Sequence, residues 1–210
     1  MPQRSWLALV LFYGLLVLFV PVVGAPYGST ASGPTIMCSA YGVAGCDDEG
    51  KEVRRMATSD LTSALDEAGV SYELLPHAHT ESALAEAESL GVSPDDVAKT
   101  LIVKLPEGYL RAVLPASARI DLRKVRELHG GGRHNVHLAT EEDLRRDYPE
   151  FELGAVPPIG GRSDPVVVDP KLAARTSIVI EAGSHDESVR IAAADLVHVT
   201  GAAVTDISED

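Results

Sequence analysis

Thr100-Leu101-Ile102-Val103-Lys104-Leu105, then Pro106-Glu107-Gly108, then Tyr109-Leu110-Arg111-Ala112-Val113-Leu114 is the stretch that decides the fold. Branched and apolar residues crowd both arms, and the Pro-Glu-Gly between them is turn chemistry, so the segment reads as a β-hairpin. Upstream, Leu61, Ala64, Leu65 and Ala68 fall at helical spacing behind Ser59-Asp60, which can cap, and Gly69 ends the run. Val70 to Leu75 is a short strand closed by Pro76, and Thr80 to Leu90 is a second helix with Ala83, Leu84, Ala87 and Leu90 as its stripe, closed by Gly91. Ser93-Pro94-Asp95-Asp96 has the form of a cap and first helical turn leading into Val97-Ala98. Downstream, Asp121 opens a helix with Leu122, Val125 and Leu128 inward, ending at Gly130-Gly131-Gly132. Val136 to Ala139 is a short strand, and Thr140 with Asp143 can form a capping box for the next helix. Gly154 to Arg162 is a loop; Val166 to Asp169, Ser177 to Glu181 and Ser188 to Ile191 are strands; Ala193 to Val197 is a last helix. There is no internal repeat and no sustained βαβ alternation. The class is α+β, a mixed and largely antiparallel sheet with helices outside it.

The 210 residues are 45% apolar and 23% charged, a globular composition. A net charge of −13 argues against coating nucleic acid by bulk charge, because phosphates are repelled. A local basic face remains open: Arg119, Arg123, Lys124, Arg126 and Arg133 crowd one segment. The two cysteines, Cys38 and Cys46, cannot build a disulfide framework or a four-thiolate zinc site. Both precede residue 50, so the main domain works without a thiol.

Residues 1–55 do not belong with the rest. Trp6 to Val23 is an apolar run after Arg4, the form of a signal peptide or single anchor, followed by a Gly/Ser/Thr/Pro-rich stretch. A second reading fits better. From Met56 the text looks like a natural start followed by a capped helix, and Gly50-Lys51-Glu52-Val53 is encodable by a purine-rich element that bacterial ribosomes pair with. The expectation is therefore a translated leader over 1–55, a working domain over 56–210, and a cytoplasmic protein. A secreted or tethered protein follows if the leader is real.

No Gly-x-Ser-x-Gly elbow, P-loop, dinucleotide fingerprint or HExxH is present. His77-x-His79 and His134-x-x-His137 have metal-ligand spacing but no matching carboxylate or cysteine, so no metal and no cofactor are expected. Lys99, at the mouth of the strand from Thr100, can project its ammonium into a cleft and bind a phosphate or carboxylate. In Gly154-Ala155-Val156-Pro157-Pro158-Ile159-Gly160-Gly161, prolines stiffen the loop, glycines allow close approach, and free backbone N–H groups could hold an oxyanion.

Together, Val97-Ala98-Lys99-Thr100-Leu101, Leu114-Pro115-Ala116, Ile120-Asp121-Leu122, Gly154-x-x-x-Pro158 with Gly160, and Asp195-Leu196 resemble the YbaK family. This is the prolyl-tRNA-synthetase-associated editing domain family of aminoacyl-tRNA deacylases. The resemblance runs from about Leu61 to Asp206 and implies a barrel-like sheet flanked by helices. It makes Lys99 the key lysine and Gly154 to Pro158 the substrate-holding loop. The implied pocket takes in His77, Thr100, Pro158 and Gly160, with Gly154 and Ala155 N–H groups on the substrate carbonyl. His77 stands where some members have tyrosine, a departure that bears on amino-acid choice. The implied partners are the acceptor end of an aminoacyl-tRNA and a prolyl-tRNA synthetase, with cysteine or another small amino acid on proline tRNA as the ester cleaved. The alternative is a non-catalytic module of the same fold that binds a tRNA end or nucleotide.

Overall fold

The hairpin is longer than its sequence core. In the computed structural model, which describes residues 48–129 and 136–210 with side chains from residue 58 onward, β2 (Val97–Leu105) pairs with β3 (Gly108–Pro115) from Ala98↔Pro115 to Leu105↔Gly108. The apolar run Trp6–Val23, both cysteines, Gly130 to Gly132, Arg133 and His134 lie outside the described residues. Strand β2 starts at Val97 because Ser93 to Asp96 closes as a turn rather than a helix: the Asp96 N–H donates to Ser93 O at 2.9 Å. Lys99 is therefore the third residue of a strand, not a residue at its mouth.

Before the hairpin come α1 (Asp48–Glu67), β1 (Glu73–Pro76) and α2 (Ala83–Leu90). Helix α1 runs straight through Ser59-Asp60, the pair expected to cap it; Glu52, Lys51, Arg54, Arg55, Met56 and Ala57 all favour helix, so nothing stops the chain there. Helix α2 starts at Ala83, later than the expected Thr80, with Ser82 Oγ accepting the Ala85 N–H, and it ends at the expected Gly91, left-handed at φ 65°.

After the hairpin come α3 (Leu122–Leu128), β4 (His137–Leu138), α4 (Glu141–Asp147), β5 (Val166–Val168), α5 (Pro170–Ala173), β6 (Ser177–Ser184), β7 (Glu187–Ala192), α6 (Ala193–Thr200) and β8 (Ala203–Val204). The Thr140–Asp143 capping box forms with both reciprocal bonds. Helix α5 and strand β8 are new relative to the sequence reading, being one turn and two residues long, too short for a period to show.

The strands form one mixed sheet in the order β1-β7-β6-β2-β3-β5-β8, with β4 on β2. The long pairs are antiparallel; β2·β6, β3·β5 and β5·β8 are parallel. No pairing joins β1 to β8 among the described residues, so the sheet is open. One face buries Leu61 and Leu65 of α1 against Ala98, Val113, Ile180 and Leu196. The other packs Val125 of α3 on Val103, Ala112 and Leu114, and Ala87 of α2 on Val97 and Val179. Thr58 of α1 also donates to Glu187 at 2.8 Å, tying the helix to β7.

Candidate functional site

Side chains alternate across a strand. Along β2, Ala98 and Ile102 face α1 and the loop after α4, while Val97 and Val103 face α2 and α3. Lys99 shares the face of Val97; Thr100 shares the face of Ala98. Parallel pairing of Val97 with Val179 and of Ala98 with Ile180 brings Glu181 next to Lys99 in register, and Glu181 pairs with Ser188 on β7. Leu75 pairs with Ser188, and Lys99 with Leu114. One row thus crosses five strands, Leu75, Ser188, Glu181, Lys99, Leu114, and its middle three members are polar.

The Lys99 ammonium donates to Ala116 O at 3.1 Å and to Ala118 O, two carbonyls of the turn after β3. No carboxylate pairs with it among the described residues. Burial pushes its pKa below the ordinary lysine value, and the neighbouring Arg119 charge pushes the same way. Arg119 is exposed and makes no ion pair among the described residues. A half-buried ammonium beside a second cation, with no counter-charge, is a place where a bound anion relieves a standing cost.

Beside Lys99 lies a cluster of which sequence reasoning singled out only His77 and His79. Ser188 is fully buried and donates to Glu86 Oε1 of α2 at 2.5 Å; His77 Nε2 lies 2.8 Å from the same hydroxyl. Burial raises the Glu86 pKa, with the Ser188 bond and the His77 and His185 charges pulling it partly back. Burial also pushes Glu181 well up, and Glu86 adds to it. His185 Nδ1 stands 4.0 Å from Glu181, its Nε2 lies 2.9 Å from Leu153 O, and its ring meets His79 edge-on at 5.5 Å. For the other members the one sequence signal was Glu86 itself, which sits on the α2 stripe three residues after Ala83 and four before Leu90.

The Gly154–Gly161 loop reaches this cluster only at its entrance. A Cβ on Gly154 would sit 3.7 Å from His185 Cε1, and φ there is +94°, so glycine suits the position. The Gly154 N–H has no acceptor among the described residues. The Ala155 N–H does: it donates to Glu152 O at 2.9 Å, and Ala155 is fully buried. The expected pairing of both N–H groups on one oxyanion is therefore corrected, because the Ala155 donor is already used in a turn.

The rest of the loop packs on the α1 face. Pro158 is buried, Ile159 joins Leu61 and Leu65, and Gly160 lies 3.6 Å from the Leu61 backbone, measured from a Cβ it lacks. Pro158 and Gly160 are thus packing residues here rather than pocket lining. Arg111, only 2% exposed, fixes this course by donating to the carbonyls of Pro157, Gly160 and Arg162 at 2.8, 2.9 and 2.6 Å. The Arg111 guanidinium also faces Asp164 at 3.7 Å, and Tyr148 donates to Asp164 at 2.8 Å. Lys99 and the loop body approach β2 from opposite faces, with Thr100 on the loop side.

The basic segment is less free than its composition suggests. Arg123 pairs with Asp121 at 2.8 Å, holding that carboxyl down at about 2; Lys124 pairs with Asp206 and Asp210 at 2.8 and 3.1 Å. Arg126 keeps its Nε buried without a partner, and Arg119 is left beside Lys99. His77 and His79 do not converge with a third metal-ligating side chain among the described residues.

A family profile described as an aminoacyl-tRNA editing domain matches residues 77–199. A hypothetical protein known by its crystal structure is 28% identical, with 71% of this chain and 99% of that one covered at a TM-score of 0.66. A protein given as a candidate trans-editing enzyme for prolyl tRNA synthetase is 24% identical, covering 75% and 98% at a TM-score of 0.66. A scaffold used for computational epitope grafting is 20% identical, covering 73% and 97% at a TM-score of 0.65. The latter two likenesses speak for the fold. The profile takes in Ser188, Glu181, Lys99 and Leu114 of the row and the whole Gly154–Gly161 loop, and no helix among the described residues is long and apolar enough to cross a membrane. With that match spanning more than half of its length, the chain belongs to the aminoacyl-tRNA editing domain family.

Proposed function

We propose that this chain is a free-standing hydrolase that cleaves the ester between a wrong amino acid and the terminal ribose of a tRNA. Its substrate is proline tRNA carrying cysteine or another small amino acid. The observation that carries the reading is Lys99, a half-buried ammonium with a second cation beside it and two backbone carbonyls, but no carboxylate, as its partners among the described residues. Lys99 binds the terminal phosphate or the substrate's amino-acid end. The free Gly154 N–H polarises the ester carbonyl at the pocket rim, and the vicinal ribose hydroxyl orients the attacking water. An aminoacyl ester is already activated, so positioning and charge stabilisation suffice without a nucleophilic side chain.

The occupied Ala155 donor supports a second reading, a module that binds the tRNA end without hydrolysis. One assay separates the two. Purified protein is incubated with proline, alanine and cysteine tRNAs charged correctly and incorrectly, and release of amino acid is followed. Deacylation of at least one mischarged proline tRNA, lost in Lys99→Ala, supports the enzyme. Binding of all of them with cleavage of none supports the module. Prolyl-tRNA synthetase added to the same assay tests it as a partner through a change in rate.

A further inference from the structure

The Glu86, Ser188 and His77 side chains form a chain whose hydrogen count does not close in the ordinary protonation states. His77 Nδ1 lies 2.8 Å from Ala78 O, Nε2 lies 2.8 Å from Ser188 Oγ, and Ser188 Oγ lies 2.5 Å from Glu86 Oε1. A carbonyl only accepts, so Nδ1 carries a hydrogen. Each of the other two contacts also needs one. A neutral imidazole, a hydroxyl and a carboxylate bring two hydrogens to three contacts, which would leave two lone pairs facing each other at one of them, either at the exposed Nδ1 end or beside the buried Ser188 hydroxyl.

We infer that Glu86 and Ser188 are positioning residues that hold the His77 ring in the wall of the site through a chain carrying one extra proton. Two arrangements satisfy every contact with the same number of protons. In one, His77 carries both N–H groups, Nε2 donates to Ser188, and Ser188 donates to a Glu86 carboxylate. In the other, the His77 proton has passed to Ser188 Oγ while the Ser188 proton has passed to Glu86 Oε1, leaving both ends neutral. The second arrangement suits the surroundings: Glu86 is 1% exposed, and its Oε2 has no hydrogen bond, a costlier vacancy for a charged oxygen than for a carbonyl-like one. The groups facing the chain are Glu181 from β6 and His185 from the β6–β7 turn. The Asp186 carbonyl receives the His77 backbone N–H at 3.0 Å and seats the ring's base. The row of Ser188, Glu181 and Lys99 then links the chain to the lysine.

The consequence for catalysis rests on the deacylase reading; the proton count does not. Nuclear magnetic resonance on the free protein, labelled with nitrogen-15 in histidine and carbon-13 in glutamate, counts the proton directly. At neutral pH the His77 ring nitrogens and the Glu86 carboxyl carbon together report one proton more than neutral imidazole plus carboxylate, and both lose it at a single shared midpoint. Ser188→Ala separates that midpoint into two. Glu86→Gln supplies the third hydrogen from its amide, so it keeps the His77 ring in place while abolishing the shared titration, whereas Glu86→Leu abolishes the titration and also releases the ring. In deacylation, Glu86→Gln keeps KM within twofold with a flattened pH profile, and Glu86→Leu raises KM fivefold or more. A neutral His77 beside an ionised Glu86 at neutral pH overturns the inference, as does a pair of independent midpoints in the unaltered protein. If no mischarged tRNA is cleaved while the shared midpoint is present, the deacylase reading falls and the proton chain stands.

Discussion

The two faces of the sheet are built from the same strands and differ in what they bury. On the α1 face, Leu61, Leu65, Ala98, Val113, Ile180 and Leu196 close over one another, and the buried Arg111 is met by three carbonyls and Asp164. On the α2 face, the same strands carry Ser188, Glu181 and Lys99 in a row, with two carboxyls pushed up by burial and an ammonium pushed down by it. The first face pairs its charges and stabilises the fold, although the buried Arg111 Nε has no partner among the described residues. The second holds groups whose ionised forms are disfavoured by burial, which is the mark of a candidate functional site. The difference follows from alternation alone: one residue step along β2 moves from Ala98 to Lys99.

The sharpest way to break this contrast is to attack the α1 face. Arg111→Met leaves the Pro157, Gly160 and Arg162 carbonyls without their donor and removes a buried cation beside Asp164, which keeps Tyr148 and Arg162 as donors. Removing one member of such a buried set costs about 3–5 kcal/mol. Chemical denaturation should register that loss, and the loop should become susceptible to proteolysis between Gly154 and Arg162. A midpoint within about 0.5 kcal/mol of the parent, the ordinary range for surface changes, would show that the loop holds its own course.

On the polar face the same size of effect should appear in rate instead of stability. Lys99→Ala removes one anion contact, worth roughly 3 kcal/mol to a transition state or about a hundredfold in rate. Its thermal midpoint should stay close to that of the unaltered protein, because Lys99 has no ion pair to lose. Full activity on every substrate that the unaltered protein cleaves would remove Lys99 from the mechanism. Gly154→Val is a smaller version of this test. A branched residue at φ +94° strains the backbone by about 1–3 kcal/mol and crowds His185, so activity should fall with a modest loss of stability.

Much of the fold was legible because it is written locally. The hairpin, the Gly91 stop, the Asp121 start and the Thr140–Asp143 box each need only neighbouring residues. The failures are equally local in origin. Ser59-Asp60 has capping chemistry, yet a helix-favouring stretch precedes it and α1 continues through. Ser93 to Asp96 has the same chemistry, yet it turns directly into a strand. Lys99 and Gly154 could be singled out from sequence, whereas Glu86, Glu181, Ser188 and His185 could not. Those four meet through the pairing of β6 with β2 and β7 and the docking of α2, contacts between residues far apart in the chain. Ala155 failed for a related reason: whether a loop N–H is free depends on a turn that its sequence does not announce.

Glu181 offers a gentler test, through pH. Burial and Glu86 raise its pKa above the ordinary 4.5, so the folded state holds a proton that the unfolded chain has released. The stability tied to that proton is complete below 4.5 and is lost as pH rises through the raised value. Each unit by which the value is raised corresponds to about 1.4 kcal/mol. Glu181→Gln should therefore raise the melting temperature at pH 8 while changing it little at pH 4. An equal shift at both pH values would assign the effect to packing instead of ionisation.

The smallest effect is expected where the polar and apolar faces are both untouched. A chain beginning at Met56 loses the first eight residues of α1 but keeps Leu61 and Leu65, the two α1 side chains fully buried in the core, and Thr58, which bonds Glu187. The helix that remains is anchored by its apolar contacts rather than by its own length, since short helices owe most of their stability to packing. Its new end begins Met56-Ala57-Thr58-Ser59-Asp60, so Ser59 or Asp60 becomes available to cap the shortened helix, the role its chemistry suits. The shortened protein should melt cooperatively, within a few degrees of the full chain, and deacylate at the same rate. Aggregation of the shortened chain, or loss of its cooperative melting, would place the first turns of α1 within the working fold.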